Sequence, residues 1–160
     1  MSTLNKQSLT EPSWYEMASL GALSVPADCE DWLLDAGSLT GKLIETCSHG
    51  KFSVRLMGQY WARPLCSEGQ VLGMRHGRAA LIREVQLLCN DVPWVFARTL
   101  IPATSFSGRA RRLAHLGNRP LGALLFSDPA TVREGMQFAR LSAGHHLYAH
   151  ASQGLYPGPV

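Results

Sequence analysis

Arg83 stands in the stretch LIREVQLLC, residues 81–89. A two-residue period puts it on one face with Leu81, Val85, Leu87 and Cys89, while Glu84 and Gln86 point the other way, toward water. An unpaired guanidinium among buried residues costs several kcal/mol, so it needs a partner. An internal ion pair, or a sheet edge where the side chain reaches water, would make it structural. A substrate carboxylate held by the planar fork through two parallel hydrogen bonds would make it a binding residue. Spacing alone does not choose between them.

The other candidates carry less chemistry. Arg98, in WVFARTL, shares a strand face with Trp94, Phe96 and Leu100. Stacking on an aromatic neighbour would account for it. Arg109, Arg111 and Arg112 in GRARRL lack the interleaved aromatics of a nucleic-acid surface and read as a solvated helix face. His146 and His150 of HHLYAH, with His145 beside them, have the spacing of zinc ligands on one helical turn. No Glu follows the first His, and no Asp or Glu occurs after Glu134. A zinc site is therefore not expected. There is no G-x-S-x-G nucleophile signature and no Gly-rich phosphate loop, so no nucleotide cofactor is expected either. Cys29, Cys47, Cys66 and Cys89 form no C-x-x-C pair, and free thiols in a reducing compartment are the expectation.

These residues need elements to hold them. PADCEDWLLDAG, opening at Pro26, reads as a short helix with Asp28 as N-cap, Asp31 at N3 and Gly37 as its stop. Ser38 caps a second helix, SLTGKLIETC, ending near residues 48–50. In FSVRLMGQY, Phe52, Val54, Leu56 and Tyr60 alternate onto one strand face. LIREVQLLC, then Asn90-Asp91, then PWVFARTLIP reads as strand, turn, strand, the strongest hairpin signal in the chain. Ser107 can cap a helix ending at Gly117, and Pro120 suits the first turn of another. ATVREGMQFARL fits a strand or a helix equally. Helices before and between hairpin-connected strands predict an α+β fold with an antiparallel sheet.

Composition limits the function. The chain is 46% hydrophobic and 17% charged. It reads as one soluble globular domain. Its net charge is +3. That suits a small anion and is too weak to argue for nucleic acid. The N-terminus has no apolar core and carries Glu11 and Glu16. It does not read as a signal peptide. No run approaches the roughly 18 apolar residues of a membrane helix, and a cytoplasmic location is expected.

DWLLDAGSLTGKL (31–43), LIREVQLLC (81–89), PWVFARTLIP (93–102) and LGNRPLGALLF (116–126), in this order and spacing, resemble the bacterial chorismate pyruvate-lyases, also called chorismate lyases or 4-hydroxybenzoate synthases. The likeness covers roughly residues 28–133. It implies a single α+β domain, with residues 1–25 as lead-in and 26–160 as the lyase-like part. The sheet would be antiparallel, with helices in its connections and the ligand enclosed beneath helical flaps. The implied reaction removes pyruvate from chorismate to leave 4-hydroxybenzoate, the first step toward ubiquinone, with no cofactor or metal and with the protein a monomer. The resemblance places the carboxylate-binding arginine at Arg83 and backbone contacts at Leu39 and Leu121. Free amides at a helix start suit an anion, in keeping with the last two assignments.

From about residue 140 to 160 the sequence departs from the family pattern. LYAHAS loosely matches the family's L-W-x-R-R-S, but QGLYPGPV follows, with no L-x-x-E-x-F-L-P strand. The glutamate that the family places against the ring hydroxyl therefore has no counterpart. A change of reading frame near residue 140 would account for this, and predicts that another frame encodes the missing strand. The alternative is a protein that keeps the aromatic-carboxylate pocket and binds 4-hydroxybenzoate without turnover. The related effector-binding domains of transcription regulators carry a DNA-binding module ahead of this fold, and the short lead-in before Pro26 cannot hold one. A third reading, a structural domain with no small ligand, would put Arg83 in an internal ion pair.

Overall fold

In the computed structural model, which describes residues 9–153 apart from the side chains of Ala22, Arg109 and Ala110, two short strands accompany a larger antiparallel sheet. In chain order the elements are β1 (Tyr15–Glu16), α1 (Ala27–Leu33), α2 (Leu39–Thr46), β2 (Phe52–Ala62), α3 (Cys66–Val71), β3 (Ala80–Cys89), β4 (Val92–Pro102), α4 (Leu121–Phe126), β5 (Gln137–Phe138) and α5 (Tyr148–Ser152). Three 3-10 segments, Met17–Leu23, Ala103–Ser105 and Gly108–His115, join them. The main sheet has the order β2-β3-β4, and β1 pairs separately with β5. The fold is α+β with an antiparallel sheet, as the strand-and-turn pattern predicts.

Asn90 and Asp91 turn β3 into β4 with φ of 51° and 63°. Two consecutive positive φ values give the turn a twist that matches the strands, and Asn and Asp tolerate that region better than most residues. Every residue of β3 is buried. Glu84 and Gln86 therefore do not face water as the alternation predicts: they are 5% and 2% exposed. The alternation itself holds, but the second face of the sheet is covered as well. Gln86 Nε2 donates to the Gln153 carbonyl at 2.6 Å, and α3 reaches the same face through Glu68.

A bulge corrects β2. Leu56 pairs with Val85 and Gly58 with Glu84, leaving Met57 as an extra residue. An extra residue reverses the phase of everything beyond it. Phe52, Val54 and Leu56 keep their expected face, but Tyr60 moves to the opposite one and Gln59 takes its place across from Arg83. A second irregularity at Trp94 sets β4 so that Val95, Ala97, Thr99 and Ile101 share the face of Arg83. The core lies on that face. Leu43 of α2 packs on Val54, Val85 and Leu87, with Trp32, Phe52, Leu56, Val95 and Ala97 around them.

The caps divide. Ser38 Oγ accepts the Gly41 amide at 3.2 Å, as its position predicts. Asp28 does not cap α1: the helix begins two residues earlier, with Pro26 as N-cap and with Asp28 and Glu30 in the first turn. The helix dipole favours acids there. Ser107 makes no side-chain cap, and the helix expected there is a 3-10 segment. Gly108 and Gly117, at positive φ of 52° and 54°, bracket the segment. A stretch so short and polar does not propagate as an α-helix. Pro120 stands just before α4, not within its first turn. In the ambiguous segment only residues 137 and 138 form a strand, pairing with Glu16 and Tyr15.

Glu11 ties the N-terminal segment to α3, accepting the Cys66 and Ser67 amides at 2.6 and 2.8 Å. Slight burial acts to raise its pKa, but the bonds from Ser67 and Cys66 outweigh it and hold the carboxyl below the usual range. A depressed carboxyl stabilises above the unfolded pKa and loses that stabilisation as pH falls through the folded one. Glu11→Gln is therefore expected to be less stable than the parent at pH 7 and equal to it at the acid end. Urea midpoints for the two proteins across pH 7 to 3 check this: a gap that does not close on acidification would contradict it.

The cysteines correct the expectation of free thiols. Cys47 and Cys89, 42 residues apart in sequence, form a disulfide with their Cα atoms 5.9 Å apart. Cys29 and Cys66 are free. Cys47 caps the C-terminus of α2, and Cys89 ends β3 opposite Phe52. Only the assembled fold brings them together, so spacing does not reveal the pair. Gly50 packs over it: a Cβ there would lie 2.8 Å from both sulfurs. Closing a loop of this length stabilises by about 2–4 kcal/mol. Reduction is expected to lower the unfolding free energy by that amount, and a thermal midpoint unmoved by reductant would refute it.

Candidate functional site

Arg83 lies at the middle of the central strand and is 2% exposed. Neither structural account of it holds. It is not at an edge, and among the described residues it has no carboxylate partner. Its Nη2 donates to the carbonyls of Gly117 and Arg119 at 2.8 and 3.0 Å. Its Nε is buried with no hydrogen-bond partner. Desolvation pulls the guanidinium below its ordinary pKa. An orphaned, charged donor is among the least favourable groups a core can hold, and it marks a place where an anion would complete the structure.

The loop over Arg83 is anchored by the sheet. Asn118 Oδ1 accepts the Leu56 amide at 3.0 Å, and Gln59 Nε2 donates to the Ala114 carbonyl at 2.8 Å. Arg119 bonds back to the carbonyls of His115 and Leu116. Pro120 then delivers Leu121 as the first residue of α4. This helix start meets that of α2, because a Cβ on Gly122 would lie 3.0 Å from Thr40 Oγ1 and 3.6 Å from Ser38 Oγ. A side chain there would be tight against Thr40. Leu39 and Leu121, as first residues of their helices, carry amides with no acceptor inside those helices. Arg83, through the 117–119 loop, is linked to this same corner. Its cross-strand neighbours on the same face are Gln59 and Thr99. The β2 bulge hides Gln59 from sequence reading, and Thr99 passes as one more alternating strand residue.

The other candidates lie elsewhere. Arg98 is structural, but through ion pairs and not aromatic stacking. Its Nε bonds Glu68 at 2.7 Å and its Nη1 bonds Glu84. Burial acts to lower its pKa, and the bonds with Glu68, Tyr60 and Glu84 override this to hold it above the ordinary arginine range. Glu84 is next to Arg83 in sequence but on the opposite face, so it cannot reach a ligand there. His146 precedes α5 while His150 lies within it, so the two do not share a helical turn. His150 Nδ1 lies 3.8 Å from Glu84 Oε2. Arg111 and Arg112 are on the 3-10 segment, exposed, and the side chain of Arg109 lies outside the described residues, as do residues 154–160 of the atypical tail.

An apolar cleft of about 650 Å³ opens beside this corner, lined by Trp32, Leu39, Leu43, Trp94, Val95 and Arg133 among others. Apolar walls with a few polar groups suit a small ring compound.

The chorismate lyase family model matches residues 9–156, beyond both ends of the likeness read from the motifs. A probable chorismate pyruvate-lyase of Methylococcus capsulatus is 40% identical over 131 residues, spanning 82% of this chain and 80% of that protein. Its counterpart in Aromatoleum aromaticum is 41% identical over 133 residues, spanning 83% of this chain and 71% of its own length. A third, from Nitrosomonas europaea, is 36% identical over 138 residues, spanning 86% and 76%.

Proposed function

The chain belongs to the chorismate lyase family, and on that premise we propose that it removes pyruvate from chorismate and releases 4-hydroxybenzoate. The observation that carries this reading is Arg83: buried, without an acid partner, and with its Nε unsatisfied. The ring carboxylate would accept from that guanidinium and from the amides of Leu39 and Leu121. No other described arginine combines burial with a free donor toward an apolar face.

Such a site asks little further of the protein. Breaking the ether bond expels enolpyruvate, and loss of the proton from the hydroxyl-bearing ring carbon makes the ring aromatic, which drives the reaction. Enolpyruvate takes up a proton to become pyruvate. The protein contributes by fixing the carboxylate, excluding water and holding the ring against the core. The product would feed ubiquinone synthesis, in the cytoplasm and from a monomer.

A second reading rests on the acids. Among the described acids, Glu68 and Glu84 are engaged with Arg98 on the far face, and Asp35, which lines the cleft, is paired with Lys42. A protein with this pocket and no acid against the ring hydroxyl could bind 4-hydroxybenzoate without turnover. Incubation with chorismate, following 4-hydroxybenzoate absorbance and pyruvate together, separates the two. Equal release of both compounds supports the lyase. Saturable binding of 4-hydroxybenzoate with no release supports the second reading, and neither result removes both.

A further inference from the structure

The substrate of the proposed reaction carries two carboxylates, and Arg83 accounts for one. We propose that Arg133 receives the other, the carboxylate of the enolpyruvyl arm, and so selects substrate over product. This inference rests on the lyase reading above. Arg133 is the sole cation among the described residues lining the 650 Å³ cleft, and Leu39, assigned above to the ring carboxylate, lines the same cleft. Arg83 itself does not line the cleft, but Leu43 and Val95, which do, pack in one cluster with Val85 and Leu87 on the face of Arg83. Arg133 also spans the two helical arms of the site. Its guanidinium lies 5.7 Å from the ring of Phe126, which ends the helix that Leu121 begins. On the other side it reaches the turn just before Leu39.

Its present bonds are replaceable. Nη1 donates to the Ala36 carbonyl at 3.4 Å and Nη2 to the Gly37 carbonyl at 3.5 Å, both at the long limit, and Nη1 also faces Met136 Sδ at 3.7 Å. A carboxylate would form shorter, charge-assisted bonds with the same fork. Asp35, the one acid among the described residues lining the cleft, pairs with Lys42 at 3.1 Å and also lies in the field of Arg133, so the two cations outnumber it. The geometry thus leaves a positively charged mouth on an apolar cleft, suited to the anionic arm. 4-Hydroxybenzoate has no second carboxylate, so it gains nothing from Arg133, and pyruvate would depart past it.

Steady-state kcat/KM for chorismate (or its equilibrium titration, should the parent not turn it over) and, separately, equilibrium titration with 4-hydroxybenzoate test this in the parent, Arg133→Gln and Arg133→Lys. Arg133→Gln is expected to lower the chorismate value about tenfold, the scale of one charge-assisted bond, and to leave 4-hydroxybenzoate affinity within about twofold. Arg133→Lys should recover part of the loss for chorismate alone. An equal loss for both ligands would mean that Arg133 merely straps the helical arms together, and an unchanged chorismate value would mean that it makes no contact; either overturns the proposal. A parent that binds chorismate without converting it removes the lyase reading, while the same difference in affinity still upholds Arg133. A parent that binds 4-hydroxybenzoate but not chorismate removes both.

Discussion

Arg83→Met is expected to weaken 4-hydroxybenzoate binding about ten- to a hundredfold while leaving a folded protein. The ligand carboxylate would lose its charge-assisted bond with the orphaned Nε in a buried site, a contact worth about 1.5–3 kcal/mol. The amides of Leu39 and Leu121 would be left to hold the anion. The stability terms nearly cancel. The hydrogen bonds to the carbonyls of Gly117 and Arg119 disappear. Each is worth about 1 kcal/mol. Against that, a buried charge and an unsatisfied Nε are removed. A methionine fills most of the vacated volume with little strain. The net change should fall within about 2 kcal/mol of zero. Ligand titration and urea unfolding of the same preparation decide the matter. A folded variant with undiminished affinity would place the ligand elsewhere, and an unfolded one would make Arg83 a structural residue.

The hairpin, the Ser38 cap and the α+β arrangement were legible in the sequence because each is set by neighbours in the chain. Asn90-Asp91 between two alternating runs needs no tertiary information, and Ser38 reaches an amide three residues on. What escaped was set at a distance. One inserted residue at Met57 exchanged Tyr60 for Gln59 on the face of Arg83, and periodicity cannot register a bulge before the partner strand is known. Cys47 and Cys89 meet because α2 and β3 end side by side. Glu84 and Gln86 look like solvent residues until α3 and α5 are seen to cover them. Arg83 and Arg98 show the same limit. Both are arginines on alternating strands, and spacing predicts a partner for each without saying which kind. The partner of Arg98 is two glutamates, one of them 30 residues away in a helix; the described partners of Arg83 are backbone carbonyls, and one donor is left over.

That contrast sets the second large effect. Arg98→Met, the same substitution as at Arg83, is expected to cost about 3–5 kcal/mol of stability, the range for breaking a buried charge network by removing one member. The guanidinium is 12% exposed, and its acids Glu68 and Glu84 are 14% and 6% exposed, so water screens the network little. Without Arg98, two carboxylates remain on the covered face, facing each other across the space it filled. Among the described residues Glu84 then has only His150 within reach, at 3.8 Å and on a largely exposed side chain. Typical domains hold about 5–15 kcal/mol in all, so the loss would be a third or more of the stability of many. The triple replacement of Glu68, Glu84 and Arg98 by apolar residues should recover most of it, because no charge is then left unpaired. Urea unfolding of the single and triple variants measures both. A cost under about 1 kcal/mol for Arg98→Met would show that solvent reaches the network after all. Ligand affinity gives the independent check: the network lies on the face opposite Arg83, so a folded triple variant should bind 4-hydroxybenzoate as the parent does, whereas folded Arg83→Met should not.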